Sequence, residues 1–164
     1  MAAGALMTIG YEGADLADFV ATLRTAGVRV LIDVRAVAGS RRRGFSKTPL
    51  RDALTAAGIA YQHLPGLGNP KPGREAGKAG RYDDFERIFR AHMETAPFHR
   101  DLARAAEFAR GTAACLMCYE RDAAHCHRRF VAEALAPDLG LDPRHLKVHA
   151  GAAAAGQGDL FTAG

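Results

Sequence analysis

No apolar run in this sequence approaches the roughly 20 residues that a membrane span needs, so a soluble chain without a membrane partner is expected. Residues 1–7 carry no basic region ahead of a long apolar stretch, which argues against a secretory leader. Cysteine is scarce: the three present are an odd number and lie in one stretch beside histidines. That excludes a disulfide framework and favours a reducing, cytoplasmic setting. Internal repeats are absent, and no glycine-rich dinucleotide fingerprint follows the first apolar segment.

What is present fits one folded unit. A chain of 164 residues, 48% hydrophobic and 24% charged, has the balance of an ordinary globular domain. The formal charge of +4 is compatible with nucleic acid, a phosphorylated small molecule or simple solubility.

Short apolar runs alternate with helical spacings. Leu6 to Tyr11 predicts a first strand, and Asp15 an N-cap for a helix carrying Leu16, Phe19, Val20 and Leu23 up to Gly27. Val28 to Val34 reads as a strand buried on both faces, with Asp33 and Arg35 at its carboxyl end. A polar stretch with Ser40 and Arg41-Arg42-Arg43 leads to a helix from about Pro49 to Ala57, and 59–63 gives a weaker strand ending in His63. The Gly/Pro-rich basic stretch 64–81 is expected to be a loop, either a lid or disordered. Helices are expected over 82–94 and from Pro97, then a strand over 113–118, a helix from about Cys126 to Leu135, and a short strand at 146–149. This alternation predicts an α/β fold, a single-domain three-layer sandwich with a mostly parallel sheet of four to five strands. The domain is expected to span 1–149, with 150–164 as a mobile tail.

In a parallel sheet the carboxyl ends of the strands share one edge, where ligands bind. Tyr11-Glu12, Asp33-Arg35, His63 and Cys118-Glu120 should therefore converge. Asp33 also reads as a plain partner of Arg35 or of an arginine in the 41–43 run, and His63 as a structural histidine. Cys126 and Arg128 stand where a helix begins, which favours a thiolate or a bound phosphate. Zinc is the rival reading for Cys115-x-x-Cys118 with Cys126-His127. Residues three apart on a strand point to opposite faces, however, so no metal site is assigned and no cofactor is expected. The Cys115-x5-Arg121 spacing lacks the glycine-rich phosphate loop of a cysteine phosphatase.

Several motifs in order, Thr8-Ile-Gly-Tyr-Glu-Gly13, Leu31-Ile-Asp-Val-Arg35, Ser40-Arg41, Gly44-Phe-Ser-Lys47, Tyr61-Gln-His-Leu-Pro-Gly-Leu-Gly68, Leu116-Met-Cys-Tyr-Glu120 and Cys126-His-Arg128, resemble the domain of unknown function 488 family over about residues 7–135. The resemblance implies an α/β fold with a polar cleft lined by Asp33, Arg35, Cys118, Glu120, Cys126, His127 and Arg128, and it supplies no reaction. Ala36-Val-Ala-Gly39 departs from the proline expected after Asp-x-Arg. In the tail, Gln157-Gly-Asp-Leu-Phe161 is similar to the peptide by which bacterial DNA polymerases and repair enzymes dock on the sliding clamp. Gln157, Leu160 and Phe161 would make that contact.

The leading expectation is thus an enzyme, a hydrolase, that acts on DNA or a nucleobase in repair. Asp33 or Glu120 would be the general base, Arg35, Arg41 and Arg128 would hold phosphate, and Tyr11 and Phe45 would stack on a base. Glu12, Ser40, His63 and His127 complete the expected binding set. The alternatives are a thiol or metal enzyme on a small phosphorylated or carboxylated metabolite, with Cys118 or Cys126 as nucleophile, and a non-catalytic nucleotide- or nucleic-acid-binding module.

Overall fold

The computed structural model describes residues 4–155. Gln157, Leu160 and Phe161 lie outside the described residues. Five strands, β1 (Ala5–Gly10), β2 (Val30–Asp33), β3 (Ala60–His63), β4 (Ala113–Cys118) and β5 (Arg144–Leu146), form one sheet in the order β3-β2-β4-β1-β5. Every pairing is parallel.

Right-handed crossovers explain the layers. From β1 to β2 to β3 the chain moves one way across the sheet and lays α1 (Leu16–Thr25) and α2 (Lys47–Ala56) on one face. It then moves back through β4 to β5, so α3 (Lys71–Lys78), α4 (Tyr82–His92), α5 (Ala96–Ala109) and α6 (Arg128–Leu139) cover the other. The fold is the expected three-layer α/β sandwich. Alternation along β4 sends Cys115 and Met117 into the core under α1 and α2, and Ala114, Leu116 and Cys118 into the core under the later helices. Cys115 and Cys118 do face opposite ways.

Several elements differ from the sequence expectation. The stretch 64–81 holds a 3-10 turn at Pro65–Leu67 and the whole of α3. Pro72 is tolerated because it lies in the first turn of α3, and Gly73 leaves room for the Asn69 side chain, whose Oδ1 a Cβ there would approach to 2.1 Å. The glycines and proline that read as loop signals are therefore packing and capping devices. The last strand forms at 144–146, two residues early, where His145 meets Thr8 across the β1–β5 pair. Helix α6 starts at Arg128, after a 3-10 turn at Ala123–His125, and Cys126 lies just ahead of it.

The chain beyond 149 is also tied down at its start. Residues 152–155 form a helical turn, and Gly151 N–H and Ala153 N–H donate to the Asp18 carboxylate at 2.9 and 3.0 Å. Asp15 caps α1 as expected, accepting from Asp18 N–H at 2.8 Å.

Candidate active site

Neighbouring strands β4 and β2, and β4 and β1, send their following segments to opposite faces, which opens a crevice at their carboxyl ends. Cys118 ends β4 there, flanked on one side by Val34 N–H donating to Met117 O and on the other by Tyr11 N–H donating to Cys118 O. The chain then turns over β1 so closely that a Cβ on Gly10 would lie 1.8 Å from Glu120 O. Only glycine lets the segment carrying Glu120 cross at that point.

The crevice holds a cavity of about 280 Å³, toward the small end for ligand pockets. Tyr11, Arg35, Cys118, Glu120 and His127 line it, as the sequence suggested. Val37, Asn69, Arg74, Lys78, Phe85, Tyr119 and His125 line it too, and were not singled out. The basic 64–81 stretch was the signal for Arg74 and Lys78, whose spacing of four places them on one face of α3.

Cys118 and His127 line the cavity, Cys126 does not, and the donor atoms of all three buried residues lie within 4.8 Å of one another. His127 Nδ1 is 3.5 Å from Cys118 Sγ and 3.9 Å from Cys126 Sγ. Its Nε2 is 2.7 Å from Val34 O. A carbonyl can only accept, so Nε2 carries a hydrogen, and Nδ1 is the nitrogen that faces the two sulfurs. Cys126 Sγ also accepts from Arg128 N–H at 3.5 Å, at the start of α6. Glu120 Oε2 accepts from Cys118 Sγ at 3.6 Å.

This crowding separates the ionisations. The hydrogen bond to Cys126, reinforced by burial, pushes the Cys118 thiol up. Burial opposes ionisation of Cys126, but hydrogen bonds from Cys118 and His127 and the charges of His127 and Arg128 outweigh it and hold that thiol low. Burial likewise opposes protonation of His127, and its contacts with Cys126 outweigh that and raise it. Burial, then the charge of Cys126, pushes the Glu120 carboxyl up to about 7. On the other face of β4, burial alone raises the Cys115 thiol, which touches none of this.

Other expected site residues have structural tasks. Asp33 is fully buried, and its oxygens accept from Arg35 Nε and Nη2 at 2.9 and 2.8 Å and from the Tyr61 hydroxyl. A carboxylate so engaged is a clamp on Arg35, which replaces the general-base role. Arg35 also donates to Phe45 O and, at 3.3 Å, to the Tyr11 hydroxyl. Phe45 is fully buried and stacked on Tyr11 at 4.4 Å, so it offers no face to a base. Arg128 is fully buried too: it donates from Nε to Thr8 Oγ1 and from its terminal nitrogens to Glu120 O and Arg121 O. It fixes the segment after β4. His63 Nε2 bonds Arg35 O at 2.8 Å, and the Ser40 hydroxyl accepts from Arg42 N–H. Glu12 accepts from Arg121 N–H and lines a separate pocket of about 210 Å³, and Arg41 is exposed away from the cavity.

The thiol corner draws its members from the end of β4 and from the residues just ahead of α6. A family model described as "Domain of unknown function DUF488" matches residues 15–135. The chain belongs to the DUF488 family. No curated protein and no solved structure matches it. The DUF488 match covers the cavity lining apart from Tyr11, which precedes it. No helix among the described residues is long and apolar enough to cross a membrane.

Proposed function

We propose that this DUF488 protein is a metal-dependent hydrolase whose ion, of the zinc type, is held by Cys118, Cys126 and His127. The mutual placement of those three donor atoms carries the reading. Zinc–sulfur bonds of about 2.3 Å and zinc–nitrogen bonds of about 2.0 Å place tetrahedral sulfur and nitrogen donors about 3.5 Å apart. His127 Nδ1 stands 3.5 and 3.9 Å from the two sulfurs. Its opposite nitrogen donates to a backbone carbonyl, the partner that orients ligating histidines. Three protein ligands leave one position open, as catalytic zinc sites do.

When bound there, the ion would supply Lewis acidity. Glu120, beside Cys118, accepts the proton that the attacking water loses as its oxygen bonds to the substrate carbon. It returns that proton to the leaving amine or alcohol as the old bond breaks. The same donor set with an adjacent glutamate serves nucleobase deamination elsewhere, which agrees with the nucleobase reading of the sequence. A wider role in DNA repair, with delivery to the sliding clamp, rests on the 157–161 peptide and the basic surface.

Metal analysis of protein purified without chelators tests the reading. About one equivalent of zinc or a similar divalent ion per chain is expected, and Cys118→Ser, Cys126→Ser and His127→Gln should each lower it by tenfold or more. Metal-free protein that also takes up no zinc would sink the proposal. The second reading, a thiol enzyme on a small phosphorylated or carboxylated metabolite, would then lead. It is favoured by the contacts of Cys126 Sγ with Arg128 N–H and His127.

A further inference from the structure

Large apolar side chains with substantial exposure are few among the described residues: Val37, Tyr82 and Tyr119. All gather at one place. Val37 and Tyr119 line the mouth of the cavity, and Tyr82 stacks at 4.3 Å on His125, which lines it as well. Scattered singly such residues would mean nothing, but a cluster at one cavity mouth offers a flat apolar surface to a ligand.

The cavity wall opposite in character is cationic. Arg74 and Lys78 project from one face of α3 into it, and Arg74 is steadied by donating from Nη1 to Asn69 O at 2.8 Å. Neither makes an ion pair among the described residues, whereas Arg81, Arg87, Arg90 and Arg104 nearby all do. Arg35 is neutralised by Asp33, and Glu120 is the only acidic side chain in the lining. Two cations one helical turn apart, unpaired among the described residues, therefore await an anion that those residues do not provide.

We propose that the cavity takes a nucleotide unit, with its phosphate on Arg74 and Lys78 and its base against Tyr119 and the apolar mouth. The base then points its reacting carbon at the corner of Cys118, Cys126 and His127. This deepens the hydrolase reading above and rests on it for the chemistry, though not for binding. The same unit can arrive as a free mononucleotide or as one residue of a single strand, since both present a flat base and a phosphate.

Calorimetric titration of the full chain tests it, with deoxynucleoside 5′-monophosphates, the parent nucleosides, inorganic phosphate, benzoate and a short single-stranded DNA as probes. Monophosphates should bind at least tenfold more tightly than nucleosides or phosphate. Arg74→Gln and Lys78→Gln should each weaken monophosphate binding about tenfold and leave nucleoside binding unchanged. Lys78 is exposed, so its replacement keeps the test valid even if Arg74→Gln loosens the 69–74 backbone. Strand binding tighter than monophosphate binding, and lost in the same variants, would make the strand the source. Monophosphate binding alone would make it the free nucleotide. No nucleotide binding, indifference to both substitutions, or tighter binding of benzoate would overturn the proposal. Measuring metal on the same samples keeps the two readings apart: metal without nucleotide binding defeats this inference alone, and nucleotide binding without metal defeats the hydrolase alone.

Discussion

Arg35 and Arg128 are both buried beside the thiol corner, and both are spent on holding the chain rather than a ligand. Arg35 is fixed by Asp33, Tyr11 and Phe45 O, Arg128 by Thr8 and the carbonyls of 120 and 121. An ion pair of this kind is costly to break from one side, because the surviving charge stays buried. Asp33→Ala should therefore destabilise the protein by about 3–5 kcal/mol in urea unfolding, and a loss under 1 kcal/mol would show that Arg35 finds solvent or another partner. The sequence offered the Asp33–Arg35 pair as one of two readings. It could not decide, because the choice depends on Tyr61 from β3 reaching the same carboxylate. Phe45 and Arg128 were misread for a related reason: an aromatic ring and a guanidinium look the same in sequence whether they face a ligand or the core.

Elements proved legible where periodicity was strong and illegible where glycine and proline dominated. The strands ending at Gly10, Asp33, His63 and Cys118 and the helices over 82–92 and 96–109 follow their apolar spacing. Helix α3 escaped notice because Gly73 and Pro72 serve its packing and its first turn, and with it went Arg74 as a site residue. The C-terminal turn was likewise hidden, since its anchor is Asp18, far away on α1. The amides of Ala153 and Gly151 hold the Asp18 carboxyl below its usual value. A lowered folded-state value means the contact contributes fully above the ordinary aspartate range and is lost as pH falls through the depressed value. Amide shifts of Gly151 and Ala153 should thus be constant near neutrality and move together below about pH 4, with the contact gone in Asp18→Ala at every pH. Movement centred near pH 6 would point to a histidine instead.

For the whole molecule, the sequence carried the sandwich, the shared edge of strand ends and the residues of the corner, but not the meeting of Cys118, Cys126 and His127 as a group that could hold a metal. Strand geometry turns Cys115 and Cys118 to opposite faces, while Cys126 and His127 return to Cys118 only after the turn between β4 and α6. The clamp reading stands apart from the cavity and is tested apart from it: full-length protein should be captured by the bacterial sliding clamp and a chain ending before Gln157 should not. Equal capture of both, or of neither, removes it. The strand order carries one more consequence, for biosynthesis. Strands β1 and β2 never pair with each other, since β4 lies between them. As the chain leaves the ribosome, β1 must wait until residue 118 has emerged before it gains a neighbour in the sheet, and closing the sheet is the same event that sets Cys118 in place. A nascent chain whose sheet is still open therefore also lacks Cys118 in its place at the crevice.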